Sequence, residues 1–347
     1  MLTTNDGLRA FLAELFRTAV AAAPPATFLP ALLPQPPAGK IILLAAGKAA
    51  GAMAEVAEAF YLNRLGLSRD RLCGIAAARH GYARPTRIVA MIEAAHPVPD
   101  AAGLAAASQA IDLADSGGPN DLVLVLMSGG ASANWIAPAS GISFEDKQLV
   151  TRALLRSGAH IGEINTLRKH LSRIKGGRLA RHAYPARVVT IAISDVPGDH
   201  VHDIGSGPFS PVPAEARRLP PNLPDWIGTL VGHAPPMPAA NDPAFATIAT
   251  RIIANNGSAR AAAANRAIAS DVKVYRRSTL VAEDAEAAGT AFAETLLRSG
   301  EGLHIWGGEP AVTLPPDAGQ GGRCQHFALA AAQRLSGAAD VHVLAAG

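Results

Sequence analysis

Two apolar runs that each break into a glycine-bearing polar turn constrain this chain more than any other feature. The first, DLVLVLM at 121–127, opens into Ser128-Gly129-Gly130-Ala131-Ser132. The second, VVTIAI at 188–193, opens into Ser194-Asp195-Val196-Pro197-Gly198-Asp199, and Gly205-Ser206-Gly207-Pro208 follows closely. Unbroken apolar runs bounded by turn residues fit strands covered on both faces, as in a parallel sheet. Open α/β sheets take their ligands outside the carboxyl ends of such strands, where backbone N–H groups are free. Glycine in the first turn lets the backbone approach a phosphate, and the Ser128 and Ser132 hydroxyls add donors. The second turn brings a carboxylate, Asp195, to the same edge.

The rest of the chain alternates in the same way. The pattern predicts a helix over 8–23, a proline-rich linker to Pro37, a strand at 41–45, a helix over 48–63 and strands at 72–77 and 87–94. His96-Pro97-Val98-Pro99-Asp100 reads as a rigid turn, with Asp100 as the N-cap of a helix over 101–115. Ser143 opens another helix, with Asp146 three positions on as a near capping box, running to about Ser157. The segment 162–168 leads into a helix ending near Gly176-Gly177, and a strand follows at 188–194. Strands alternating with helices imply parallel βαβ units. The proline-rich stretch 210–243 reads as a connection with a short helix around 226–231. Beyond it the pattern predicts strands at 251–253, 272–275, 303–306, 311–314 and 341–344, and helices over 259–270, 283–299 and 323–335.

A length of 347 residues favours two domains. The expected fold class is α/β, with an N-terminal helix and linker over 1–37, a Rossmann-like, doubly wound domain over 38–240, and a smaller α/β domain over 241–347. That last domain is expected to be incomplete, because the sequence stops at Ala345-Ala346-Gly347, where a strand would hand over to a functional turn. Hydrophobic residues make up 49% of the chain but aromatics only 5%, so Ala, Leu, Val and Ile must fill the cores. The net charge of +3, with no basic tract interleaved with aromatics, gives no reason to expect a nucleic-acid partner. No apolar run is long enough to span a bilayer, and the N-terminus lacks a secretory pattern. Two distant cysteines, Cys73 and Cys324, make neither a disulfide framework nor a zinc site. The expectation is a soluble cytoplasmic protein, with homo-oligomerisation left open.

Several charged residues stand where chemistry is done. Lys48, in Ala46-Gly47-Lys48-Ala49, sits at a predicted helix start. A cation there opposes the helix dipole unless an anion joins it. Neither a GxxxxGK[ST] loop nor a GxGxxG fingerprint occurs. Asp195 and Asp199 flank Pro197-Gly198, and Glu309 follows Gly307-Gly308. Carboxylates so placed serve as turn residues, as Mg²⁺ ligands or as a base. Asn165, Arg168, Lys169, His170 and Lys175 crowd the approach to Gly176-Gly177, either as a solvated face or as anion contacts. Arg323, after Gly321-Gly322, repeats the logic of Lys48.

Taken in order, the segments Ala45-Ala46-Gly47-Lys48-Ala49, His96-Pro97-Val98-Pro99-Asp100, Ser128–Ser132, 163–171, Lys175-Gly176-Gly177-Arg178-Leu179, 193–199 with Ser206-Gly207-Pro208, Gly307-Gly308-Glu309-Pro310 and Gly321-Gly322-Arg323 resemble the glycerate 2-kinase family. Its members are often labelled hydroxypyruvate reductase. The resemblance implies two α/β domains with the active site in the cleft between them. It implies ATP-dependent phosphorylation of D-glycerate to 2-phosphoglycerate with Mg²⁺. By position, Lys48 and Arg323 would flank the transferring phosphate as catalytic residues, and Asp195 would stand near the substrate hydroxyl. Ser128, Gly129, Gly130, Ser132 and Asn256 would hold nucleotide phosphates, Asn165, Lys169 and His170 the substrate, and Asp199 and Glu309 the metal. The chain departs from the family at Ala131, where a third glycine is usual, and at Cys324 and His326, where Asn and Glu are usual. The family also continues beyond the last predicted strand. A reductase using NAD(P)H and a truncated, inactive ligand-binding remnant are the alternatives, and the 2- or 3-position of the product is open.

Overall fold

The computed structural model describes residues 4–156, 161–221, 223–312 and 319–347. The chain forms two units, one of Pro25–Ile253 and the other of Met1–Pro24 with Ala254–Gly347. The first helix, α1 (Asn5–Ala21), belongs to the second of these and is capped by the Thr4 side chain, which accepts from the Gly7 N–H at 3.1 Å.

The larger unit opens with α2 (Pro25–Leu32), inside the stretch expected to be linker. Pro25 suits a first helical position because its missing N–H would have had no partner there. Leu29 and Leu33 are buried, so burial holds a helix that composition disguised. Then follow β1 (Ile41–Ala46), α3 (Ala50–Ala59), β2 (Leu72–Arg79), β3 (Ala90–Ala94), α4 (Ala101–Asp115), β4 (Leu122–Met127), the single turn α5 (Ala131–Asn134), α6 (Phe144–Arg156), α7 (Ile161–His170), α8 (Arg178–Ala183), β5 (Arg187–Ile193), α9 (Asp225–His233) and β6 (Ile248–Ala254). The reciprocal Ser143–Asp146 bonds form as expected, at 3.1 and 3.0 Å. The expected end of that helix, Ser157, lies outside the described residues. The helix expected to reach Gly176-Gly177 instead stops at His170, and both glycines take positive φ before α8 begins.

The sheet order is β3-β2-β1-β4-β5-β6. Each of the pairs β2–β3, β1–β2, β1–β4 and β4–β5 is parallel. The chain runs outward from β1 to β3 and returns to β4 on the other side of β1, so the order reverses between β1 and β4. Side chains alternate across the sheet. Ile42, Leu44, Val123, Val125 and Val188 pack on one face against the alanines of α4. Ile41, Leu43, Leu122, Leu124, Val189 and Ile191 pack on the other against α2 and α3. Small helix residues let these layers approach closely, and every residue of β1 and β4 is buried. The strand expected at 251–253 to begin the C-terminal domain is β6, at the edge of this sheet, a placement set by pairing that no local pattern reveals.

In the second unit, α10 (Asn256–Ile268), β7 (Val274–Val281), α11 (Ala285–Leu297), β8 (Leu303–Gly308) and α12 (Arg323–Arg334) surround a two-stranded parallel sheet. Leu15 of α1 packs with Ala263 and Ala267 of α10 and with Val274, Leu303 and Ile305. Of the strand expected at 311–314, Ala311 forms only an isolated bridge to Asp284, and 313–314 lie outside the described residues. Residues 341–344 form no strand. Leu344 is half exposed and lacks the burial that holds a parallel strand.

Candidate functional site

The carboxyl ends of β1 and β4 meet where the strand order reverses, the position at which open α/β sheets take their ligands. The two turns are stitched together there. The Lys48 N–H donates to Gly129 O at 2.8 Å, the Ala49 N–H to Ser128 Oγ at 2.9 Å, and the Ser128 N–H to Ala46 O at 3.0 Å. Ser128 is buried, and its hydroxyl is committed to fixing the start of α3. Lys48 is exposed just ahead of that helix.

Three side chains close on the paired glycines. A methyl group at Gly129 would overlap the Asp195 carboxylate, with Oδ1 at 3.0 Å. Gly130 is left-handed, with φ of 86°, and a methyl there would stand 3.3 Å from Lys48 Cγ and 3.1 Å from His96 Cδ2. Lys48, Asp195 and His96 thus surround a stretch of backbone that carries no side chains. By sequence alone His96 has only a place in a rigid turn. The signal that could have singled it out is its position directly after a strand and ahead of a capped helix.

The Ser132 hydroxyl lies 2.8 Å from that of Ser206. The Gly176 and Gly177 N–H groups donate to Ser206 O at 3.0 Å and Gly207 O at 2.7 Å. Lys175, buried, donates to Ser132 O at 2.8 Å and Trp135 O at 3.1 Å, closing the carbonyl end of α5. Burial holds its ammonium well below the ordinary lysine range. Ala131, the first departure from the family pattern, starts α5 with its methyl in the core.

The residues assigned to substrate mostly meet protein. Lys169 is buried and pairs with Asp203 at 2.7 Å. The Asn165 amide oxygen accepts from Arg168 at 3.4 Å, and His170 Nε2 lies 2.9 Å from Arg217 O. Burial lowers the His170 imidazole below its usual value. Only Lys169 of the three lines the adjoining cavity of about 420 Å³, with Thr166, Asp203, Glu215 and Arg218. Two further buried cations cap the carbonyl end of α7, where the helix dipole favours them. Lys147 donates to Arg168 O at 3.3 Å, and Arg178 to Lys169 O at 2.7 Å. Burial, with Arg168 and Arg178 nearby, pushes the Lys147 ammonium down to about 7.

In the second unit, a methyl at Gly307 would overlap the Asn256 side chain, so Asn256 lies against the Gly307–Glu309 turn. Glu309 accepts from Arg323 at the first position of α12, both exposed. His326 lies 3.6 Å from Glu286.

Mg²⁺ takes oxygen ligands and is commonly held by one or two carboxylates together with substrate phosphates. Among the described residues no cluster of three or more His, Cys, Asp or Glu could hold a metal by itself. Asp195, with Asp199 on the same strand-end turn, supplies hard oxygens beside the glycine pair and fits that partial donor set. Glu309 instead has a cation as its partner.

A lysine and a carboxylate set about a glycine pair at a sheet's switch point mark the candidate site of an α/β protein. Residues 11–219 match the family described as "Domain of unknown function (DUF4147)", and residues 302–347 match the MOFRL family. The chain is 32% identical to a glycerate 2-kinase of Pyrococcus horikoshii, across 86% of this chain and 70% of that one. It is 37% identical to an Agrobacterium vitis protein named provisionally as a hydroxypyruvate reductase, across 88% and 81%. The crystal structure of a Thermotoga maritima glycerate kinase superposes with a TM-score of 0.77 at 30% identity, covering 96% of this chain and 81% of that one. The chain belongs to the glycerate 2-kinase family.

Proposed function

We propose that this protein is a kinase that transfers the γ-phosphoryl group of ATP to the 2-hydroxyl of D-glycerate, with Mg²⁺, on a Rossmann-like two-domain fold. The observation that carries the reading is the convergence of Lys48 and Asp195 on the Gly129–Gly130 turn, in a chain of this family. Phosphoryl transfer asks little covalent chemistry of a protein; it needs alignment and charge neutralisation. The Lys48 ammonium faces the developing charge on the transferred group. The Asp195 carboxylate orients the substrate hydroxyl and accepts its proton. Gly129 and Gly130 let phosphate oxygens reach the backbone, and Ser132 adds a donor. Arg323 is a cation of the second unit, where it pairs with Glu309. Bound Mg²⁺ would neutralise phosphate charge, with Asp199 as a protein ligand.

The Agrobacterium name raises the reductase reading. The order β3-β2-β1-β4-β5-β6 is the order of dinucleotide-binding sheets. The turn after β1, however, carries Lys48 and has Ala49 in place of the second glycine of that fingerprint, the one that lets the backbone approach the pyrophosphate. Incubation with D-glycerate, ATP and Mg²⁺, with the product identified by phosphorus NMR, tests the kinase directly. 2-Phosphoglycerate is expected. Hydroxypyruvate-dependent oxidation of NAD(P)H without any phosphorylated product would overturn the reading.

A further inference from the structure

We infer that His96 contacts the anion received by the Gly129–Gly130 turn, as a third functional side chain beside Lys48 and Asp195. The inference rests on the kinase reading only for that anion's identity. The Cδ2–Nε2 edge of the His96 ring faces the turn: a methyl at Gly130 would stand 3.1 Å from Cδ2 and 3.4 Å from Nε2. The same methyl would meet Lys48 Cγ at 3.3 Å, so the missing side chain at residue 130 separates a lysine from an imidazole. An oxygen of a phosphate or carboxylate approaching that backbone comes within reach of both.

The backbone that carries His96 is also held in place. Asn134 at the end of α5 donates to Ala94 O at 2.8 Å and Ala95 O at 3.2 Å. Asp100 accepts from the Ala95 N–H at 3.1 Å and, capping α4, from the Gly103 N–H at 3.0 Å. His96 lies between these anchors, half-buried. Folding has therefore already ordered the backbone from which the ring reaches the turn. An Nε2 edge so presented suits an oxygen anion, as donor of a charge-assisted hydrogen bond. The turn already carries a cation and a carboxylate, and His96 completes a three-sided site.

The test is His96→Ala and His96→Gln in the full chain, with two readouts. The alanine variant is expected to lose about a hundredfold in kcat/KM for glycerate phosphorylation, the scale of one positioned donor, without a fall in melting temperature. The glutamine variant, whose amide N–H stands near the position of Nε2, is expected to recover most of that loss. In parallel, imidazole NMR of histidine-labelled protein is followed as inorganic phosphate is added, the His96 resonance being the one missing from His96→Gln. It is expected to move. If the native chain phosphorylates no glycerate, the kinase reading fails, and the phosphate titration still decides the role of His96. A His96 resonance that phosphate leaves unmoved overturns the inference, whether His96→Ala keeps native rates or loses them without rescue by glutamine.

Discussion

Gly129→Ala is the sharpest perturbation of this site. Gly129 does not need glycine for its backbone, since it lies outside the positive-φ set. What it needs is space. A methyl at this position overlaps the Asp195 carboxylate, so the carboxylate or the turn must move by about 1.5 Å to restore ordinary contact. Displacement on that scale costs on the order of 100-fold in rate, or about 2.7 kcal/mol of transition-state stabilisation. Overpacking of this kind also destabilises by about 1–3 kcal/mol. The assay is kcat/KM for D-glycerate together with the urea midpoint, on the native and Asp195→Ala backgrounds. Because the clash is with Asp195, the stability cost of the methyl should shrink on the second background, with a coupling of about 0.5–3 kcal/mol. Gly130→Ala provides the contrast. Its left-handed backbone, at φ of 86°, costs an alanine about 1–2 kcal/mol on either background. A Gly129→Ala protein with native rate and midpoint would refute the reasoning, as would a cost that persists undiminished after Asp195 is removed.

Lys48→Ala should lower kcat by about 100-fold or more while the folded fraction is unchanged; steady-state kinetics check this, and an unchanged kcat removes its role. Lys147 is buried with its ammonium lowered to about 7. Between that value and the unfolded value near 10.4, the unfolded chain binds the extra proton, so stability rises with pH across this window by about 1.4 kcal/mol per unit. Lys147→Met should remove its share of that slope and so stabilise the protein most below pH 7, which urea titrations at several pH values will show. Glu58 accepts from the N–H groups of Arg87, Ile88 and Val89 at 2.6, 2.9 and 2.9 Å. Glu58→Ala orphans all three and should cost about 3 kcal/mol or more, at about 1 kcal/mol per donor, read from the denaturation midpoint. The Glu309–Arg323 pair is exposed, so Glu309→Gln should change stability by less than about 1 kcal/mol. The Mg²⁺ concentration for half-maximal rate should stay unchanged, whereas a large increase would make Glu309 a metal ligand.

The features legible in the sequence were those with a local cause. Continuous apolar runs and glycine breaks marked β1, β4 and β5 and their turns, and the Asp100 and Ser143 caps follow from side chains that satisfy nearby N–H groups. Lys48, Gly129 and Asp195 were each found on such turns. Their convergence follows from a nonlocal fact: β1, β4 and β5 are consecutive in the sheet order. The features that local pattern hid have the same nonlocal origin. The α2 helix sits in a proline-rich stretch and is held by the burial of Leu29 and Leu33, while β6 is a short run whose sheet membership depends on its pairing. Lys169 and His170 carry the residue types of a substrate site, but their partners, Asp203 and Arg217 O, are distant in sequence. His96 is the converse case. It follows β3, which lies two strands from β1, and a histidine in a proline turn has no periodicity to announce it. It reaches the glycine pair because α5, which directly follows those glycines, turns back and grips the end of β3 through Asn134. A side chain on α5 therefore holds the backbone just ahead of His96. The turn whose backbone faces His96 also holds, one helical turn later, the strand end that leads into that histidine.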